Sequence, residues 1–201
     1  ITRVALRPSG GTTPRQLLTA ITDARQRGYS VVGLETTGAP LNRGAFVREA
    51  LKRGLTHAVL VRGDDLAFKE AAQALGQRAV PWILRVEPGP NDLTHCAAMV
   101  DDAHSAGASI VALAMADVSA STSLDEVADA ARAALVRGRA LGIGVVVYGL
   151  PFCLLPEHVD DLSPSPPVIP VDGSGRPTWG ARLAQPPKCR ACELSNRCPG
   201  L

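Results

Sequence analysis

Six apolar runs rich in β-branched residues punctuate the stretch from Ile1 to Leu150, and no other feature narrows the fold of this chain as much. They read RVAL near the start, SVVGLE from Ser30, HAVLVR from His57, VPWILRV from Val80, SIVALAM from Ser109 and IGVVVYG from Ile143. Their apolarity is nearly continuous rather than alternating, which is the pattern of parallel strands buried on both faces.

Helical stretches separate the runs. Thr13-Pro14 has the form of an N-cap with proline at the first helical position; Leu17, Leu18, Ile21 and Ala24 then form one stripe, and Gly28 ends it. A second helix is predicted from about Arg43 to Lys52, before Gly54, and a third from Ala67 to Leu75, closed by Gly76. A fourth begins near Asn91 or Asp92 and ends at Gly107. Ser123 with Glu126 forms a capping box for a fifth that runs to Gly142.

Strands and helices that alternate at this spacing predict an α/β protein with right-handed crossovers and a parallel sheet. Six strands are too few for a closed eight-fold barrel. The expected form over residues 1–150 is therefore an incomplete parallel (β/α)6 TIM-like open barrel, although the periodicity also fits an open, doubly wound sheet.

From residue 151 to 201 the texture changes. PFCLLPEHVDDLSPSPPVIPVDGSGRPTWGARLAQPPK is rich in Pro, Gly and Ser and has little helical or strand periodicity. Such a segment is either a linker or is pinned by something other than a hydrophobic core. A metal centre is one such pin, and cysteines stand at both of its ends. The C-terminal region 151–201 is thus expected to be an irregular, cluster-binding extension.

Composition limits the partners. With 21 basic and 19 acidic side chains the formal charge is +2, and the basic residues are scattered, so neither nucleic acid nor a membrane surface is expected as a partner. Only 3% of residues are aromatic, too few for base-stacking platforms. No run approaches the roughly 18 apolar residues of a membrane span, and no secretion signal opens the chain, so a cytoplasmic location is expected. In that reducing compartment, clustered cysteines act as metal ligands or redox groups rather than as disulfide staples.

Three of the five cysteines fall in the final stretch KCRACELSNRCPGL. Cys189-x-x-Cys192 places two sulfurs close enough to share one centre, and Cys198 follows after five residues with Pro199 directly behind it. Cys153, in LPFCLLPEH, is the natural fourth ligand because the intervening loop needs an anchor at each end. Four thiolates suit a 4Fe-4S cluster or tetrahedral zinc. The Cys-Pro ending favours iron–sulfur, and the single CxxC knuckle argues against zinc, which commonly uses two. The plain alternative is a set of unligated thiols in a mobile tail. Cys96, in THCAAMV, reads as core packing on a helix. His95 and His104 read as helix-surface or boundary residues, and His158 as a loop histidine, with a donor to the site near Cys153 or an alternative ligand as the other readings.

These segments resemble a family. GLPFCLLPEH, followed by KCRACELSNRCPG, is similar to the C-terminal portion of radical S-adenosylmethionine (SAM) proteins that carry an auxiliary iron–sulfur cluster. In that group a G-x-P-x-C-x-x-P element and a terminal CxxC-x5-C-x-G supply four sulfurs. The resemblance extends backwards to ARQRGYSVVGLETTGAPL, which is similar to the second βα unit of those enzymes, and it implies the same partial barrel.

Two departures from the family pattern bear on function. The CxxxCxxC that holds the catalytic cluster should follow the first strand, but RVALRPSGGTTPRQ stands there without a cysteine. The strand-two motif reads Thr36-Thr37-Gly38-Ala39-Pro40, and Ala39 takes the place of the glutamate that helps hold the SAM amino group. The resemblance thus implies a degenerate member. SAM is not expected as a cofactor, and a complete radical SAM enzyme is the expected partner.

Function in a parallel barrel gathers at the C-terminal strand ends. These carry Glu35 and Thr36, Arg62 with Asp64 and Asp65, Arg85 with Glu87, Asp117 and Tyr148. Arg62 and Arg85 could clamp a carboxylate or phosphate, or could equally belong to a structural ion network with Asp64 and Glu87. No nucleophilic triad and no phosphate-loop motif is present, and Ser9-Gly10-Gly11 reads as turn punctuation. Three functions follow as expectations. The first is a non-catalytic iron–sulfur partner that presents substrate or transfers electrons. The second is an active radical SAM enzyme whose cluster motif lies upstream of Ile1. The third is a four-cysteine zinc protein.

Overall fold

The computed structural model describes residues 3–8, 11–62, 66–115, 122–163, 187–196 and 198. The chain divides into two compact units, Ile1–Arg85 with Ser105–Ser109, and Val86–His104 with Ile110–Leu201.

In the first unit, strands β1 (Arg3–Leu6), β2 (Val31–Thr36), β3 (His57–Val61) and β4 (Trp82–Val86) alternate with helices α1 (Pro14–Gln26), α2 (Gly44–Lys52) and α3 (Leu66–Gly76). The strands pair in chain order and all in parallel, with Leu6 opposite Leu34, Glu35 opposite Val59, and Val61 opposite Arg85. The start of α1 is as predicted. Thr13 accepts a hydrogen bond from the Gln16 N–H while Gln16 reaches back to the Thr13 N–H, and Pro14 opens the first turn. Leu17, Ile21 and Ala24 are buried, and Gly28 at φ 86° ends the helix. The α2 helix buries Phe46, Val47 and Ala50.

The loop after β2 depends on a glycine. Gly38 sits at φ 143°, and a Cβ there would lie 2.6 Å from the Ala67 carbonyl carbon, at the start of α3. Thr36 fixes the same turn by accepting from the Gly38 N–H at 3.3 Å and donating to the Ala39 carbonyl at 2.5 Å.

In the second unit, a 3-10 turn (Pro90–His95) leads into α4 (Cys96–Ser105). Strand β5 (Ile110–Ala114), helix α5 (Leu124–Leu141) and strand β6 (Gly144–Tyr148) follow. The predicted capping box at Ser123 and Glu126 is present, and Gly142 ends α5 in the left-handed conformation at φ 71°. Strand β6 pairs in parallel with β5. One correction to the expected strand count falls here: β6 is not an edge. A two-residue strand β7 (Leu162–Ser163) pairs with it in parallel, Val147 opposite Leu162 and Tyr148 opposite Ser163. Two 3-10 turns, Phe152–Leu154 and Pro156–Asp161, form the connection where a crossover helix would stand. Burial of Phe152, Leu155 and Leu162 holds the segment in place. Arg132 and Arg139 of α5 pair with Glu157 and Asp161 above it, and the Arg132 hydrogen bond holds the Glu157 carboxyl below its ordinary range.

Among the described residues no helix is long and apolar enough to cross a membrane.

Candidate functional site

The irregular segment of the second unit positions the cysteines. Phe152 and Leu155 are fully buried and flank Cys153, whose own residue is exposed. The distal cysteines lie on a succession of turns. A 3-10 turn (Pro187–Ala191) carries Cys189, whose carbonyl accepts from the Cys192 N–H at 3.1 Å. The Cys192 carbonyl accepts from Ser195 at 3.0 Å, and the Cys198 N–H donates to Leu194 at 2.8 Å. Cys189, Cys192 and Cys198 are all half-buried, and none of the five cysteines forms a disulfide.

One contact joins the two cysteine segments. The Phe152 N–H donates to Cys198 Sγ at 3.4 Å across 46 residues of sequence, so the last cysteine meets the backbone beside Cys153. Thiolates are the donor type a 4Fe-4S cluster takes, and Cys153, Cys189, Cys192 and Cys198 are the residues that would hold one. Bound there, a 4Fe-4S cluster would supply one-electron transfer. Among the described residues, however, no group of three or more His, Cys, Asp or Glu side chains is gathered closely enough to hold a metal ion.

The other cysteine and the histidines singled out from sequence stand as follows. Cys96 is fully buried at the start of α4, with its thiol 3.8 Å from the Asp92 carbonyl. His158 is buried and faces Asp161 at 3.4 Å, while His95 and His104 are exposed.

The strand ends of the first unit hold a separate constellation. Glu35, 2% exposed, lies next to the end of β2, and its Oε1 takes a hydrogen bond from Arg85 Nη1 of β4 at 2.6 Å. The same oxygen takes two from Arg7, directly after β1: Nη2 at 2.5 Å and Nε at 3.1 Å. Parallel register explains the convergence. Glu35 stands level with Ile83, and Arg85, two residues further along β4, shares its face. Arg7 extends the β1 row past the Leu6–Leu34 pair to the level of Glu35.

Of the strand-end residues singled out from sequence, Glu35 and Arg85 are thus brought together. Arg62 is not their partner: Val61 stands beside Arg85, and Arg62 only donates its backbone N–H to the Arg85 carbonyl at 2.8 Å. The Arg62–Arg85 clamp is therefore replaced by an Arg7–Glu35–Arg85 cluster. Arg7 escaped the sequence reading because its position one residue past a four-residue strand is fixed only by register. Tyr148 is fully buried at the end of β6. Ser9, Gly10, Asp64, Asp65 and Asp117 lie outside the described residues.

Beside Arg7 a cleft of about 450 Å³ opens between the end of β1 and the first turns of α1, lined by Leu6, Pro8, Thr12, Gln16 and Leu17 among others.

No known family's sequence profile matches this chain, and no curated protein matches it in sequence. Solved structures do match in fold. The carboxyl transferase domain of Rhizobium etli pyruvate carboxylase, solved with pyruvate and biocytin, is similar over 98% of this chain and 38% of its own, at 16% identity and a TM-score of 0.56. A variant of that domain with pyruvate matches over the same shares at 15% identity and a TM-score of 0.56. FabK from Thermotoga maritima matches over 70% of this chain and 40% of its own, at 16% identity and a TM-score of 0.48. This chain therefore spans about two fifths of the length of these three structures. At such identities the likeness concerns fold alone. With the parallel, chain-ordered strands of each unit, the carboxyl transferase likeness assigns the chain to the α/β class of TIM-like open barrels.

Proposed function

We propose that this chain is a degenerate, radical-SAM-like iron–sulfur protein that binds one 4Fe-4S cluster through Cys153, Cys189, Cys192 and Cys198. In this reading it serves, in the cytoplasm, as the non-catalytic partner of a complete radical SAM enzyme, presenting substrate or passing electrons. The observation that carries the reading is the Phe152 N–H···Sγ Cys198 contact, which links the two cysteine segments across the Pro-rich region. The turn from Cys189 to Cys192 supports it, because it sets two thiols on one short loop.

Loss of catalysis follows from coordination chemistry. SAM cleavage needs an iron with an open position, and a cluster held by four cysteines has none. The loop after β2 offers Ala39 where an ammonium would need a carboxylate, and Glu35, the nearest acidic residue before that loop, is engaged by two arginines.

The test is incubation of the anaerobically reconstituted protein with dithionite and SAM, followed by chromatography for 5′-deoxyadenosine. None is expected. Product that disappears in a Cys189→Ala, Cys192→Ala variant would mean that the C-terminal cluster is itself catalytic. Product that persists in that variant would reveal a second cluster, and with it an active enzyme.

A further inference from the structure

The Arg7–Glu35–Arg85 cluster holds more positive charge than its buried carboxylate needs. Glu35 and Arg85 are both buried, with side-chain exposures of 2% and 9%, and at 2.6 Å they already form the close pair that a desolvated carboxylate requires. Arg7 adds a second guanidinium to the same oxygen while its own side chain stays 47% exposed. Arg7 thus brings its positive charge to the solvent-exposed side of the cluster. An ion pair so exposed adds little stability, so structural need explains Arg85 far better than it explains Arg7.

The geometry leaves Arg7 equipped for another partner. Its Nε and Nη2 edge is committed to Glu35. A guanidinium has five N–H donors in a rigid plane, so the Nη1 end is held in a fixed direction with its hydrogens on the other side. Among the described residues Arg7 has no other side-chain hydrogen bond. Fixing the rotamer in advance lowers the entropy lost when a ligand binds.

The adjoining cleft has matching chemistry. Its roughly 450 Å³ falls in the size range of small-molecule sites. Among the described residues lining it none is acidic. Gln16 lines it too, and its carbonyl oxygen is occupied by the Thr13 N–H and hydroxyl, both at 2.8 Å, which leaves the amide NH2 as a donor. Leu6, Pro8 and Leu17 supply apolar walls. A cation and an amide donor in a partly apolar cleft, with no acid among its described lining residues, match a small molecule that carries one oxyanion.

We propose that this cleft binds a small organic oxyanion, a carboxylate or phosphate group received by Arg7, with Glu35 and Arg85 acting as positioning residues for that guanidinium. The site lies in the first unit and is independent of the cysteines, so its failure leaves the iron–sulfur reading untouched.

The experiment uses the full chain. The Arg7 side-chain Nε–Hε NMR signal, assigned by its loss in Arg7→Gln, is followed during titration with inorganic phosphate, with acetate, and with chloride at matched ionic strength. A saturable shift with phosphate or acetate but not with chloride is expected, and the stronger of the two identifies the ligand group. Calorimetry with that anion should show affinity lower by about tenfold or more in Arg7→Gln, the loss of a charge-assisted contact, with partial recovery in Arg7→Lys. Gln16→Leu gives an independent reading and should weaken binding severalfold even if Arg7→Gln fails to fold. A response to chloride equal to that of the oxyanions, no saturation with any anion, or unchanged affinity in both Arg7→Gln and Gln16→Leu would overturn the proposal.

Discussion

The buried carboxylate of Glu35 gives the sharpest residue-scale expectation. Glu35→Gln removes the carboxylate that Arg85, itself buried, holds at 2.6 Å. Breaking a buried pair from one side costs about 3–5 kcal/mol, so urea denaturation should show a loss of that order. Arg7→Gln leaves the buried pair intact and should cost no more than about 1 kcal/mol. Equal losses for the two variants would contradict the roles assigned to the two arginines. Sequence alone marked Glu35 and Arg85 as charged residues at strand ends, but which arginine meets the glutamate depends on register across three strands, and no apolar pattern encodes that.

His57 belongs at the same scale. It is half-buried on β3, with Nδ1 3.1 Å from the Thr56 hydroxyl, and its ring fills the space beside Gly33. Burial lowers its pKa from the ordinary 6.5, and the nearby Arg3 lowers it further. The unfolded chain therefore binds this proton more readily than the folded one. The contribution is complete above the unfolded value, is lost as pH falls from there toward the folded value, and is constant below it. Stability measured from pH 7 to 5 should fall less steeply in His57→Gln than in the parent chain. Identical slopes would mean that this imidazole does not report folding.

At the scale of elements, α5 and β6 meet through a glycine whose role the sequence conceals. Gly138 lies in the last turn of α5, and glycine inside a helix is weaker than alanine by about 0.5–1 kcal/mol. A Cβ there would stand 2.3 Å from Val145 Cγ2 and 3.1 Å from the Ile143 carbonyl oxygen. Gly138→Ala should destabilise despite its better helix propensity, by about 1–3 kcal/mol as in other overpacked cores. In the background of Val145→Ala the same change should cost less. A double-mutant cycle on thermal unfolding reads this coupling, and strict additivity would show that the contact is relaxed without cost.

The helices themselves were legible. The stripe of Leu17, Ile21 and Ala24 and the box at Ser123 and Glu126 are local signals, and the structure realises both. Strand β7 was not legible, because a two-residue strand in a Pro- and Ser-rich stretch has no period to read. Only the pairing of Leu162 with Val147 defines it.

At the scale of the whole molecule, the fold class could be read from six apolar runs because buried parallel strands must be apolar on both faces. The proposed cysteine ligand set stands on different ground. Its spacing is visible in sequence, and one N–H···S contact ties its two ends, but the centre itself is a matter of what the protein binds. Anaerobic purification followed by iron, acid-labile sulfide and zinc quantitation tests that claim most directly. The account predicts about four iron and four sulfide per chain, with loss of both in a Cys189→Ala, Cys192→Ala variant and no effect of Cys96→Ala. One zinc per chain without sulfide, or iron that persists in the double variant, would contradict it.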